Sequence, residues 1–89
     1  MPKVVITHAV EDIDRWVQGK EGRAAAIESG TGRNVTDYVA RDGSNNIAIT
    51  ADVADVDTMK SILTAPPADV LDRMEAHGVI QPITLYIES

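Results

Sequence analysis

The two histidines are the side chains of this sequence that change charge near neutral pH, so proton transfer is the first chemistry to consider. His8 lies near the end of the run "KVVITHAV", which the acidic stretch "EDID" follows. A neutral imidazole there could take a proton from a phenol or an enolisable ketone, or it could simply bond a loop carbonyl or Asp12. His77 precedes Gly78, where a cation in the last turn of a helix would interact favourably with the helix dipole; catalysis is the alternative.

Aromatic and acidic side chains add contacts for a small molecule. Tyr38 and Tyr86 could donate hydrogen bonds to a bound carbonyl and so act with His8, or they could pack their rings and keep their hydroxyls in water. Trp16 is either a platform for a substrate or the anchor of a core that has few large side chains. Asp52 could be a general base if it were desolvated, and is otherwise a solvated strand-end carboxylate.

The motifs that accompany many cofactors are missing from the sequence. There is no cysteine, which excludes disulfides, thiol nucleophiles and thiolate metal sites. No P-loop, no G-x-G-x-x-G and no G-x-S-x-G occurs. The two histidines and fourteen carboxylates show no spacing typical of a metal site. We therefore expect neither a cofactor nor a metal.

Length and charge restrict the class of protein and its partners. Residues 1–89 are expected to form a single domain whose core, with no Phe and one Trp, is small enough to need a second copy of the chain. The net charge of −6 and the scattered lysines and arginines argue against a nucleic-acid partner. The first apolar run, "VVIT", is too short for a signal segment or a membrane span, so a cytoplasmic protein without a membrane partner is expected.

The hydrophobic periodicity predicts four strands and two helical segments. A helix starts at the N-cap Asp12, is weakened by Gly19 and Gly22, and ends in "SGTGRN". "DGSNN" is predicted to join two strands as a hairpin. The strands are predicted over residues 3–10, 35–41, 47–53 and 83–88.

The second helical segment is predicted to begin at Asp55 or Asp57. "TAPP" interrupts it, and a new helix starts at the second proline and carries His77 in its last turn. The resulting order is β-α-β-β-α-β, which predicts an α+β, ferredoxin-like fold: a four-stranded antiparallel sheet with both helices on one face.

The uncovered face of this sheet has an unusual composition. In the third strand Ile47, Ile49, Ala51 and Val53 should pack under the helices, which leaves Ala48, Thr50 and Asp52 on the other side. Tyr86 joins that second face from the last strand, and either Tyr38 or Asp37 joins it from the second, depending on register. Such a mixed face suits contact with a second sheet around a partly polar cavity; an ordinary polar surface is the alternative. The candidate site thus comprises His8, Tyr38 and Tyr86 as catalytic groups, with Trp16, Thr50, Asp52 and His77 as substrate contacts.

Three segments resemble the small dimeric α/β-barrel proteins. "THAVEDIDRW" resembles their first strand and helix start, "DGSNNIAITADVADVDTMK" their hairpin and second helix start, and "MEAHGVIQPITLYI" their closing segment. This superfamily includes antibiotic-biosynthesis-type monooxygenases, haem-degrading monooxygenases and polyketide cyclases. Two departures stand out: Ile13 replaces the aromatic residue that is common after Asp12, and only His77 matches the Asn, Trp and His used by the haem degraders.

The resemblance implies two sheets packed face to face in a homodimer, with a small-molecule cavity in each subunit. It implies as activity a cofactor-independent monooxygenase or a cyclase/isomerase acting on an aromatic or polyketide-like molecule. A non-enzymatic small-molecule-binding or stress-associated dimer is the alternative, and a protein-interaction module is a third. Fold-level likeness does not choose among these chemistries.

Overall fold

The computed structural model describes residues 1–29 and 32–89, so part of the predicted helix-ending segment "SGTGRN" lies outside the described residues. The four strands form one antiparallel sheet in the order β2-β3-β1-β4. This is the ferredoxin-like arrangement predicted from the sequence. The elements are β1 (Lys3–Val10), α1 (Ile13–Gln18), α2 (Lys20–Ser29), β2 (Gly32–Val39), β3 (Asn46–Val53), α3 (Val56–Thr64), α4 (Ala68–Ala76) and β4 (Val79–Ile87).

Alternating burial along β1 and β3 separates the two faces of the sheet. These are the central strands, and in both of them every second residue is buried. In β3 the buried set is the aliphatic set expected to lie beneath the helices. The buried aliphatic residues of both strands pack around Trp16 of α1 and Met59 of α3. The helix-facing core residues of the two strands are Val4, Ile6, Val10, Ile47, Ile49, Ala51 and Val53.

The first helical segment breaks at one of the two glycines expected to weaken it. The Asp12 carboxylate caps α1 by accepting hydrogen bonds from the backbone N–H groups of Asp14 and Arg15. Gly19 then caps the C-terminus of α1 through its N–H to the Trp16 carbonyl, and α2 starts at the next residue. A Cβ built on Gly19 would lie 2.6 Å from Nε2 of His77, so this position needs a residue without a side chain.

The second segment also consists of two helices. Of the two candidate caps, Asp55 is the one used, since its carboxylate accepts hydrogen bonds from the N–H and hydroxyl of Thr58. Pro67 is the N-cap of α4 rather than its first residue, so the helix starts one residue later than predicted. His77 is the C-cap that follows α4, and Gly78 adopts the left-handed conformation with φ +71°.

Two strands start three or more residues earlier than the sequence predicts, and both are edge strands. Strand β2 starts three residues early at Gly32 and contains a register shift between Arg33 and Thr36. Strand β4 starts at Val79, which pairs with Val10, although Pro82 follows within the strand. An edge strand tolerates a proline because one side of its backbone needs no ladder hydrogen bond.

None of the described helices combines the length and the apolar character needed to cross a membrane.

Candidate functional site

A cavity of about 210 Å³ lies between the helix-facing side of the sheet and the helices. Its wall is mainly aliphatic, with contributions from β1, β3, α3 and α4. The wall also contains five side chains with nitrogen atoms: His8, Trp16, Arg23, Arg73 and His77. The cavity therefore offers an apolar space with a small number of polar contacts, which is typical of small-molecule sites.

His8 is held in one tautomer by a backbone contact. Its side chain is on the helix-facing side of β1, only 8% exposed, with Nδ1 2.9 Å from the carbonyl oxygen of Ala9. Because a carbonyl only accepts, Nδ1 carries the proton and the lone pair of Nε2 is available to another group. Burial lowers the pKa of His8 below its ordinary 6.5, the bond to Ala9 opposes this, and the positive charge of Arg23 lowers it further.

Arg23 of α2 lies at the centre of the polar contacts. It is 7% exposed, and its guanidinium lies 3.9 Å from the centre of the Trp16 ring in a cation–π contact. Nη1 donates to the Trp16 carbonyl at 3.1 Å and to Nδ1 of His77 at 3.3 Å. Nη2 forms a salt bridge with the Asp37 carboxylate of β2 at 2.9 Å. One side chain thus joins α1, α2, β2 and the end of α4.

His77 has partners other than the helix dipole considered from the sequence. Because a guanidinium only donates, Nδ1 of His77 accepts from Arg23, and the neutral ring carries its proton on Nε2. Burial, followed by the charges of Arg23, Arg73 and Arg15, lowers the pKa of His77 from its ordinary 6.5. A neutral ring gains little from the dipole. The structure instead places His77 against Gly19 and Arg23, in the wall of the same cavity as His8.

The remaining predicted site residues lie on the opposite face of the sheet. Tyr86 and Thr50 flank Val5 on that face, as their pairing shows. Of the two alternatives in the second strand, Tyr38 takes the open face, beside Ala48, while Asp37 turns to Arg23. Tyr38 and Tyr86 are 51% and 57% exposed. Within one chain the sheet therefore separates both tyrosines from His8, and they do not meet at one ligand.

Asp52 also lies on the open face and has two partners there. Its carboxylate accepts a hydrogen bond from Asn34 at 2.8 Å and forms a salt bridge with Lys3 at 3.0 Å. The hydrogen bond from Asn34, then the contact with Lys3, lowers the pKa of Asp52 from its ordinary value. Both effects stabilise the carboxylate and make it a weaker base.

The sequence does contain a signal for Arg23, although it was not among the candidates. Arg23 follows Trp16 by seven residues and precedes Ile27 by four, which is the spacing of one stripe on the single helix predicted from the sequence. A cation within an otherwise apolar stripe needs a buried partner. That partner, Asp37, could be chosen only once the register of β2 was known.

In the described part of the chain, no three His, Asp or Glu side chains are grouped so that they could hold a metal ion.

Comparison with solved structures gives the same fold. The chain is similar to a candidate antibiotic biosynthesis monooxygenase from Bordetella bronchiseptica, with a TM-score of 0.74 and 12% identity over 99% of this chain and 94% of the other. Candidate enzymes of the same description from Deinococcus radiodurans and Nitrosomonas europaea both have TM-scores of 0.59. Their identities are 15% and 13%, over 97% and 100% of this chain and 90% and 97% of theirs. At these identities the likeness confirms the resemblance seen in the sequence as one of fold. No family model and no curated protein matches the chain.

Proposed function

We propose that this protein binds a small aromatic or polyketide-like molecule in the cavity and removes a proton from it through His8. This would be the first step of a cofactor-independent monooxygenase or cyclase/isomerase reaction. The observation that carries the proposal is the buried imidazole of His8, whose Nδ1 is bonded to the Ala9 carbonyl and whose Nε2 remains free as a base. The descriptions of the similar structures as candidate monooxygenases support the first of the two reaction classes.

The charges around the cavity favour this transfer of a proton from the ligand to His8. Nε2 of His8 takes a proton from a phenol hydroxyl or from a carbon next to a ketone, which leaves a phenolate or an enolate. The positive charge of Arg23, on the same cavity, stabilises that anion more strongly than it would in water, because the wall is largely apolar. The lowered pKa keeps His8 neutral before the reaction and makes its imidazolium a good acid afterwards.

The phenolate or enolate can then react in one of two ways. In a cyclase reaction its carbon bonds to a carbonyl carbon of the same molecule, the carbonyl π bond breaks, and the new alkoxide takes back the proton from His8. In a monooxygenase reaction the anion reacts with dioxygen, so that a CH₂ group becomes a ketone. One oxygen atom then enters the product and the other leaves as water, with the substrate carbon supplying the electrons.

The test is hydrogen–deuterium exchange of 2-tetralone, an enolisable aromatic ketone, followed by NMR in D₂O. The protein is expected to accelerate exchange at the carbon between the ring and the carbonyl. His8→Asn should abolish the acceleration, since the Asn amide can keep the bond to Ala9 but has no base at the Nε2 position. Tyr86→Phe, on the opposite face, is the matched control and should exchange at the wild-type rate. Equal acceleration by the His8→Asn protein would overturn the proposal.

A non-enzymatic binding protein is the second candidate, and one observation favours it. Tyr38 and Tyr86 face away from the cavity, so neither tyrosine can assist His8, whose hydrogen-bond partner among the described residues is the Ala9 carbonyl. In that case 2-tetralone would shift the NMR signals of cavity residues without any acceleration of exchange.

We further propose that the protein is a homodimer in which the open faces of two sheets meet. The exposed tyrosines, together with Val5 and Thr50 between them, support this proposal. An interface there would remove two large aromatic rings from water in each subunit, and it would leave the cavity on the helix side accessible.

A further inference from the structure

We propose that the molecule bound in the cavity carries an anionic group, such as a carboxylate, and that Arg73 binds this group. The inference rests on the proposed function, since both concern the same cavity, and it adds the chemical class of the ligand. Arg73 is an exposed residue of α4 that also lines the cavity. Its guanidinium is therefore available both to water and to a ligand.

The first support is the concentration of cations at one end of the cavity. The whole chain has a net charge of −6 and only eight lysines and arginines. Three of the eight surround His77: Arg23 is hydrogen-bonded to it, Arg73 lies one turn before it on α4, and the Arg15 guanidinium lies over Gly78. Arg23 and Arg15 each have a carboxylate beside them, so Arg73 is the member of this cluster whose charge would attract an anionic ligand.

The second support is that one of these cations lacks an acidic partner. Arg23 is paired with Asp37, and Arg15 lies 3.7 Å from Glu11. Arg73 forms no salt bridge with any residue that the structure describes, although Asp69 lies one turn before it on the same helix. Arg73 is therefore free to pair with a carboxylate from a bound molecule.

The experiment compares two probes of nearly equal shape, 1-naphthoate and 1-naphthamide, which differ in charge. Binding is followed by NMR through the indole N–H of Trp16, which gives a single signal because the chain has one tryptophan. The wild-type protein is expected to bind the carboxylate about tenfold more tightly than the amide. Arg73→Gln should remove this preference and leave the affinity for the amide unchanged.

The matched control is Arg41→Gln, which makes the same change of charge at an exposed residue outside the cavity wall. It should retain the preference for the carboxylate.

Equal binding of the two probes by the wild-type protein would overturn this inference. An equal loss of the preference in both variants would also overturn it, since that would indicate only a general charge effect. If the amide binds as well as the carboxylate while 2-tetralone exchange persists, the anionic subsite fails and the proposed function stands. If neither probe binds and no exchange occurs, both fail.

Discussion

His8 and His77 are both held neutral near pH 7, although by different surroundings. His8 is buried and bonded to a carbonyl, whereas His77 is partly buried and close to three arginines. Their opposite tautomers follow from these partners: the free nitrogen of His8 is an acceptor and that of His77 is a donor. Within one cavity wall, the residue suited to remove a proton is therefore His8.

These surroundings predict a loss of stability in mild acid. Each histidine has a folded-state pKa below its ordinary 6.5, so the unfolded chain binds more protons as the pH falls through and below 6.5. The free energy of unfolding should then decrease, and it should stop decreasing once the folded pKa values are passed. Urea unfolding measured over roughly pH 8 to 4.5 checks this. His8→Asn and His77→Asn should each flatten the curve.

The carboxylates with lowered pKa values affect the free energy of unfolding in a different pH range from the histidines. Asp42, Asp52 and Asp55 are stabilised as carboxylates by hydrogen bonds, so their contribution is lost only when the pH falls towards and below 3.8. A loss of stability between pH 6.5 and 4.5 that both Asn variants leave unchanged would contradict the assignment to the histidines.

Trp16 should be the most costly single truncation in the core. It is 1% exposed, packs with Ile6 and Ile49, and lies under the guanidinium of Arg23. Trp16→Ala is expected to lower the free energy of unfolding by about 3–5 kcal/mol, measured by urea denaturation. Leu71→Ala, at a half-exposed position of α4, is the control and should change it by less than about 1 kcal/mol. A similarly small effect at Trp16 would show that the ring is not a core anchor.

At the element scale, the two glycines of the first helical segment have different surroundings. A Cβ on Gly19 would lie within 3 Å of three atoms of the His77 ring, whereas a Cβ on Gly22 would meet nothing. Gly22→Ala should therefore stabilise α2 by about 0.5–1 kcal/mol through helix propensity. Gly19→Ala should destabilise the protein, because Gly19 lies between the two helices and its new methyl group would force the His77 ring to move.

Thermal unfolding of the two glycine variants measures this difference directly. The double variant Gly19→Ala with His77→Ala is the control, since it removes the ring that the added methyl group would meet. Relative to His77→Ala alone, the added Gly19→Ala change should then be neutral or stabilising. If Gly19→Ala alone raised the melting temperature as Gly22→Ala does, the contact between Gly19 and His77 would not limit this position.

The sequence was most informative where the signal is local. The Asp12 cap and the alternation in β3 depend on residues a few positions apart, and the structure confirms both. The predicted weakening of the first helix at Gly19 is observed as a break between α1 and α2. The start of β4 and the facing of Asp37 depend on pairing between distant strands, which periodicity does not specify. The sequence did not reveal the contacts of Arg23 for the same reason. The salt bridge between Arg23 of α2 and Asp37 of β2 depends on the register of β2.

At the scale of the whole molecule, the predicted site residues lie on the two opposite faces of the sheet. His8, Trp16 and His77 lie with Arg23 on the helix side, around the cavity. Tyr38, Tyr86, Thr50 and Asp52 lie on the open side, where the cavity does not reach. We therefore propose ligand binding for the first group and contact with a partner subunit for the second, so each function could be disrupted without the other.

The dimer is tested by placing a charge at the centre of the open face. Thr50 lies on the central strand β3 between Val5 and Thr36, so a lysine there would have to lose its hydration when two sheets meet. Sedimentation at micromolar concentration is expected to show a dimer for the wild-type protein and a monomer for Thr50→Lys. Leu71→Lys, at a half-exposed apolar position on α4, is the matched control and should remain dimeric. A wild-type monomer would contradict the proposal, and a dimer that survives Thr50→Lys would place the interface elsewhere.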